Sequence, residues 1–152
     1  MLIIIGVVTL RWFLLGDQET SLGNGYHYIS GRGDDSHIQK EGKRVVDAAI
    51  IDIDIMSPYV VGLRLPAEHL ECHGGYKIRL KNQKKYFILS TKNDELFQFD
   101  NADAFNEQLA TLLINDDINL DDFKLETTWQ RYASYYNNID FSQCQPIPTS
   151  VN

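Results

Sequence analysis

Hydrophobic and polar residues along this chain alternate mainly with the two-residue period of β-strands. In residues 51–55 isoleucine and aspartate alternate, so an extended chain would place isoleucines on one face and Asp52 and Asp54 on the other. We interpret the aspartate face as solvated. Bounded apolar or alternating runs predict strands at the following residues: 26–30, 44–55, 59–65, 76–81, 84–91 and 96–99.

The connections between these strands are predicted from the polar and glycine-containing segments. The two residues 82–83 form a short link between two predicted strands, which favours a hairpin over residues 76–91. Residues 17–25 are predicted to be a polar neck before the first strand. Residues 68–73, bounded by a proline and two glycines, are predicted to be a polar loop.

The period changes to that of a helix after residue 99. Either Asp100 or Asn101 can cap this helix, whose buried stripe is predicted to comprise Phe105, Leu109, Leu112 and Leu113. A second, aromatic-rich helix is predicted over residues 127–136, with Thr127 or Thr128 near its cap. Strands followed by helices predict an α+β fold, with a meandering antiparallel β-sheet packed against one or two C-terminal helices.

The length of 152 residues predicts one folded domain, and we assign it to residues 17–140, with a C-terminal tail at residues 141–152. Residues 1–16 are an apolar segment with two open interpretations: an anchor or signal remnant, or a buried strand. The apolar run is shorter than the roughly 20 residues of a spanning helix, and Arg11 interrupts it. Membrane association is therefore expected only through residues 1–16.

Charge and cysteine content limit the partners and leave the compartment open. The net charge of −7 argues against a nucleic-acid partner. Cys72 and Cys144 are compatible with a disulfide in an oxidising compartment and with two reduced thiols in the cytoplasm. The sequence thus leaves a cytoplasmic and an envelope-anchored location equally open.

The sequence contains few residues in patterns that carry chemistry. His69, Cys72 and His73 offer metal-ligand types, but a structural zinc site needs four ligands and no second pair follows at a familiar spacing. The phosphate-binding, nucleophile-elbow and zinc-protease motifs are absent from the sequence. We therefore predict no catalytic residues, no metal and no cofactor, and expect the protein not to be an enzyme.

The distribution of charge is more informative than any motif. Residues 76–92 contain six basic residues and no acidic one, whereas residues 94–126 contain ten acidic residues and one basic one. An acidic segment with apolar neighbours suits steering and anchoring of a basic protein. The alternative is a solvated acidic loop. The predicted partner-binding residues are Asp116, Asp117, Asp121, Asp122, Phe123 and Trp129.

Three stretches of the sequence resemble a loose group of small uncharacterised bacterial proteins, many of them lipoproteins: LLGDQ, LGNGYHYIS and YFILSTKNDELFQFDNADAFNEQL. The residues that match this group are Gly23, Tyr26, Tyr28, Tyr86, Ile88, Lys92, Phe105 and Leu109. Asp17 stands where a lipoprotein of this kind has its lipid-accepting cysteine, so lipid attachment is not implied.

In size and acidity the chain is also similar to bacterial immunity proteins, which occlude the active sites of toxins. That resemblance implies a non-catalytic binding protein that neutralises a cognate toxin through its acidic surface. The alternative expectation is an envelope-anchored accessory domain.

Overall fold

The computed structural model describes residues 18–31, 34–114 and 117–148. The apolar segment 1–16 lies outside the described residues, so neither interpretation of it is tested. The described residues form eleven strands and two helices. The strands are β1 Gln18–Gly23, β2 Tyr26–Ser30, β3 His37–Lys40, β4 Lys43–Val46, β5 Ile50–Met56, β6 Tyr59–Arg64, β7 Ala67–Cys72, β8 Gly75–Leu80, β9 Lys85–Ser90, β10 Glu95–Phe99 and β11 Gln145–Pro146. The helices are α1 Ala102–Thr111 and α2 Asp122–Tyr136.

The strands form three antiparallel sheets. The first is the meander β1-β2-β3-β4, the second has the order β10-β9-β6-β5, and the third has the order β11-β7-β8. Both helices follow the ten longer strands in the chain. The predicted α+β fold with C-terminal helices is therefore confirmed.

The second sheet lies at the centre because its two inner strands are buried on both faces. Val60 of β6 and Phe87 of β9 pack toward the first sheet. Their chain neighbours Val61 and Ile88 face the opposite way and pack in the cluster that contains the helices. Side chains that alternate between two cores explain why both strands are almost continuously apolar in sequence.

Gly62 in β6 is required by the close approach of a neighbouring ring. It pairs with Phe87 of β9, and a Cβ added at this glycine would overlap the Phe87 ring. The Phe87 side chain is fully buried. A glycine inside a buried strand is therefore explained by the space that the ring occupies.

The prediction of a polar neck over residues 17–25 is wrong, because residues 18–23 form β1 and pair with β2. Leu22 is the buried residue of this strand. An edge strand with one buried side chain lacks the apolar alternation on which the prediction depended.

The predicted hairpin over residues 76–91 is also wrong. β8 pairs with β7, whereas β9 pairs with β6 and β10, so the two predicted partners belong to different sheets. The predicted polar loop at 68–73 is mostly strand β7, in which His69 and Leu70 are buried. A short link does not specify a hairpin when each strand finds a longer antiparallel partner elsewhere.

Helix α1 follows the prediction at its start and differs at its end. Asn101 is the N-cap and its side chain accepts a hydrogen bond from the Ala104 backbone N–H at 2.9 Å. Phe105 and Leu109 are buried as predicted. The helix ends at residue 111, so Leu113 lies beyond it and is 79% exposed, contrary to the prediction.

Candidate functional site

Helix α2 begins five residues before its predicted start, because two of the predicted partner-binding acids form its N-terminus. Asp121 is the N-cap, and its side chain accepts a hydrogen bond from the Lys124 backbone N–H at 3.0 Å. Asp122 lies in the first turn, where a carboxylate is favoured by the helix dipole. These residues resemble a loop in sequence because capping residues are also turn residues.

Asp52 holds this helix end against the central sheet, so part of the predicted solvated aspartate face is covered. Its carboxylate accepts hydrogen bonds from the Asp121 backbone N–H and from Lys124 Nζ, both at 3.0 Å. The Asp52 side chain is only 20% exposed.

Ile53 packs toward the first sheet, on the face opposite to Asp52, as the alternation predicts. The prediction is wrong for Ile51, which packs in the cluster that contains the helices, because the pairing of β5 with β6 shifts register between Ile50 and Asp52. The helix that packs on β5 is not evident from the strand alone.

Several basic residues of the segment 76–92 form ion pairs with acidic residues of this same protein. Lys84 Nζ lies 3.0 Å from an Asp122 carboxylate oxygen, and Lys85 pairs with Asp100. On the third sheet, hydrogen bonds from Lys81 and Arg79 lower the pKa of Glu68. Partly exposed pairs of this kind contribute about 0–1 kcal/mol each, so they orient surfaces more than they stabilise the fold.

The predicted site residues divide into three groups. Asp117, Asp121, Asp122 and Phe123 are all exposed at the N-terminal end of α2 or just before it, and Phe123 is 75% exposed. Trp129 lies almost two turns further along and packs against Tyr132, with ring centroids 5.5 Å apart. Asp116 lies outside the described residues. The structure therefore brings three carboxylates and one exposed aromatic ring to the same end of the helix, which we call the acidic end of α2.

A buried polar chain that the sequence patterns did not reveal lies between the first and third sheets. The ring Nε2 of His69 lies 2.8 Å from an Asp47 carboxylate oxygen, and its Nδ1 is hydrogen-bonded to the Tyr76 hydroxyl. His69 and Asp47 are 5% and 7% exposed. With Nε2–H donating to the carboxylate, Nδ1 accepts from the tyrosine, which fixes the position of Tyr76.

The surroundings of this chain further constrain its groups. Arg44 lies 3.1 Å from Asp47, and the Ala48 backbone N–H donates to the same carboxylate at 2.7 Å. Burial, followed by the charge of Asp35, raises the pKa of Tyr76. Asp47 could have been identified only with knowledge of its partner, since it lies 22 residues from His69 in the sequence.

A disulfide between Cys72 and Cys144 joins the end of β7 to the segment that follows α2, with Cα atoms 4.2 Å apart. Immediately after Cys144, β11 pairs with β7. The two cysteines left open by the sequence are therefore bonded. This link holds the chain beyond α2 against the third sheet.

Two negative findings apply to the described part of the chain. Neither helix is both long and apolar enough to cross a membrane. Residues 18–31, 34–114 and 117–148 contain no cluster of three or more histidine, cysteine, aspartate or glutamate side chains suited to a metal ion.

Residues 23–124 match DUF3997, a family described as a protein of unknown function. The match covers more than half of the chain, so the chain belongs to this family. It starts at the end of β1 and stops within the first turn of α2. The acidic end of α2 thus lies within the matched residues, and the rest of the helix lies beyond them.

The resemblance to an uncharacterised family is therefore confirmed at the level of the family. No curated protein and no solved structure matches the chain.

Proposed function

We propose that this protein is a non-catalytic binding protein and that the acidic end of α2 docks a basic protein partner. The observation that carries the proposal is Phe123, whose ring is 75% exposed in the first turn beside Asp121 and Asp122. The exposed ring supplies an apolar anchor. Lys84 offsets part of the charge of Asp122, so Asp117 and Asp121 supply most of the field that attracts a basic surface.

Helix α2 is suited to present this end because its inner face is anchored to the protein. Leu125 and Tyr132 are buried, and the Tyr132 hydroxyl accepts a hydrogen bond from the Leu80 backbone N–H at 2.8 Å. Asp52 holds the first turn. A rigid helix that keeps its outer face free offers a preorganised surface, which reduces the entropy lost on binding.

The more specific form of the proposal is that the partner is a bacterial toxin domain and that this chain is its immunity protein. The overall net charge of −7 supports it, because electrostatic steering favours rapid capture of a basic toxin. In this form Asp117, Asp121, Asp122 and Phe123 approach the toxin first, and Trp129 supports the helix from within.

To test the site, the full chain is used to capture a binding protein from an extract of its own organism. The rate at which variants of the chain associate with this captured protein is then measured. The test variant is Asp117→Asn/Asp121→Asn/Asp122→Asn, in which asparagine keeps the N-cap while three charges are removed.

The matched control is Glu95→Gln/Asp103→Asn/Glu107→Gln, which removes three exposed carboxylates from β10 and α1. We expect association with the captured protein to slow at least tenfold at low salt for the test variant only. Equal association rates for the wild type and the test variant would contradict the site.

A second candidate function, an envelope-anchored accessory domain, is favoured by the disulfide. Disulfides persist mainly in oxidising compartments such as the bacterial envelope. Fractionation of cells that express the native gene tests this candidate. It predicts recovery of the protein with the envelope, with Cys72 and Cys144 blocked to alkylation, whereas a reduced cytoplasmic product would exclude it.

A further inference from the structure

A cavity of about 290 Å³ lies at the opposite end of α2 from the acidic end. Its walls include the rings of Tyr76, Tyr135 and Tyr136 and the side chains of Asp34 and Asp35. These residues come from the loop before β3, the start of β8 and the last turn of α2. We call this the tyrosine cavity.

The tyrosine rings offer exposed faces to a ligand. Tyr135 is 72% exposed and Tyr76 is 54% exposed. Tyr136 is fixed by its neighbours, because it stacks on Tyr132 at 4.3 Å and meets Tyr135 edge to face at 4.8 Å. A cation placed over such ring faces is attracted by their negative quadrupoles.

The cavity also lies where the helix dipole favours positive charge. Tyr135 and Tyr136 are the last two residues of α2, and the last turn of this helix contains no basic residue. The partial negative charge of the helix C-terminus is therefore not offset within that turn. Asp34 and Asp35 add charge of the same sign.

Arg44 pairs with Asp35 at 2.7 Å. Burial raises the pKa of Asp34, against the smaller, opposite effect of the nearby Arg131 charge, which lowers it. Arg131 and Asp34, both of which the structure describes, form no ion pair within 4.0 Å, so Asp34 is the carboxylate we assign to a ligand.

Tyr76 is positioned as an acceptor by the buried chain described above. In the tautomer in which His69 Nε2–H donates to Asp47, the Tyr76 hydroxyl donates its hydrogen to His69 Nδ1. The lone pairs of the phenol oxygen then remain available to an N–H donor. This gives the Asp47 and His69 pair a role in orienting one wall of the cavity.

The same aromatic stack already holds a guanidinium from this chain. Tyr136 stacks on Phe141 at 6.1 Å, and the Arg79 guanidinium carbon lies 5.5 Å from the centre of the Phe141 ring. Arginine stacks on aromatic rings better than lysine because its guanidinium is planar and weakly hydrated. The protein therefore contains an internal example of the contact that the cavity offers.

We propose that the tyrosine cavity binds an arginine side chain of a partner, with the guanidinium against the exposed ring of Tyr135 and hydrogen-bonded to Asp34. The inference rests on the proposed function in one respect, since it takes this arginine to belong to the basic partner. Tyr135 lies about 18 Å along the helix from Phe123, so the two sites would engage separate parts of one surface.

The probe is a blocked peptide of five residues with arginine at the centre of four glycines, titrated into the full chain and followed by the ring signals of Tyr135 and Tyr136. We expect these signals to shift, with binding about tenfold weaker when citrulline, the neutral isostere, replaces arginine. The Tyr135→Ala variant should weaken binding by a similar factor. Because Tyr135 is largely exposed, we expect this variant to fold as the wild type does, and circular dichroism checks this directly.

Lys77, which also lines the cavity, provides a test of charge sign. The Lys77→Ala variant should tighten binding of the arginine peptide about threefold, because it removes a like charge. Equal binding of the citrulline and arginine peptides, or weaker arginine binding by Lys77→Ala, would overturn the inference. An arginine peptide that leaves the tyrosine signals unchanged at millimolar concentration would also overturn it.

The failures of the two proposals are distinguishable. The Phe123→Ala variant should bind the arginine peptide as the wild type does, because this residue lies at the other end of the helix. If the peptide fails to bind while the Asp117→Asn/Asp121→Asn/Asp122→Asn variant still slows the partner, the cavity assignment is wrong and the proposed function stands. If the peptide binds but substitutions at neither end of α2 slow association with the captured protein, the proposed function is wrong.

Discussion

The central sheet and helix α2 contrast in how they use their residues. Strands β6 and β9 bury side chains on both faces, and Val61, Phe87 and Ile88 are fully buried. Helix α2 buries Leu125 and Tyr132 on one side and leaves Phe123 and Tyr135 largely exposed on the other. The sheet therefore provides most of the packing, whereas the helix presents most of the exposed aromatic surface.

From this contrast we expect the central sheet to determine stability and the outer face of α2 to determine binding. The free energy of unfolding should depend mainly on the doubly covered strands, because a fully buried side chain contributes far more than an exposed one. Binding should depend on the outer face of α2, whose removal from water requires a partner.

The largest expected difference is between two phenylalanines. Phe87→Ala should lower the free energy of unfolding by about 3–5 kcal/mol, because it leaves a cavity between two packed layers. Phe123→Ala should change it by less than about 0.5 kcal/mol, because the ring is already in water. Urea unfolding of both variants measures this. A similar loss of unfolding free energy at both positions would contradict the division between the buried central sheet and the exposed face of α2.

The disulfide gives the next largest effect, since it fastens the segment after α2 to the third sheet. Replacing Cys72 and Cys144 by serine should lower the free energy of unfolding by about 2–4 kcal/mol, mainly because the unfolded chain regains the freedom of a long closed loop. Hydrogen exchange should increase in residues 137–148 more than in β9. An unfolding midpoint equal to that of the oxidised protein would show that the link contributes nothing to stability.

Two substitutions at the start of α2 should have smaller effects on the free energy of unfolding, and comparing them separates the contribution of the cap from that of the charge. Asp121→Ala should lower the free energy of unfolding by about 1 kcal/mol through loss of the cap on Lys124 N–H. Asp121→Asn should stay within a few tenths of a kcal/mol of the wild type, because asparagine caps as well as aspartate. Equal destabilisation by both changes would mean that the negative charge, rather than the cap, holds this end.

The last effect concerns alkaline pH and the first sheet. Burial, followed by the hydrogen bond to Asp94, raises the pKa of Tyr26 from 10.0 to about 12. The native state therefore keeps this proton where the unfolded state has lost it, and stability falls as pH rises from 10 to 12. Tyr26→Phe should make that fall less steep, whereas Phe123→Ala should not. Unfolding curves measured at several pH values in this interval provide the comparison, and an unchanged slope for Tyr26→Phe would contradict it.

The sequence predicted those elements whose pattern depends on local periodicity. Phe105 and Leu109 have helical spacing, and the structure buries both. The pairing of β8 and β9 was mispredicted because alternation identifies a strand without specifying its neighbour. β1 was missed because an edge strand with a single buried leucine has the composition of a loop.

The candidate site was predictable only in part, for the same reason. The acidic residues around Asp121 are close in sequence, so their charge and proximity could be recognised without the fold. Asp47, His69 and Tyr76 are brought together by two different sheets, and the tyrosine cavity also needs the end of α2. Residues that meet only through tertiary contacts leave no periodic signal in one sequence.

Hydrogen exchange of the complex with the captured partner tests the central claim most directly, because it reports binding and location together. We expect slower exchange on binding in residues 117–136, with little change in the exposed edge strand β1. Protection concentrated in β1–β4, with α2 exchanging as in the free protein, would contradict the assignment of recognition to the helix.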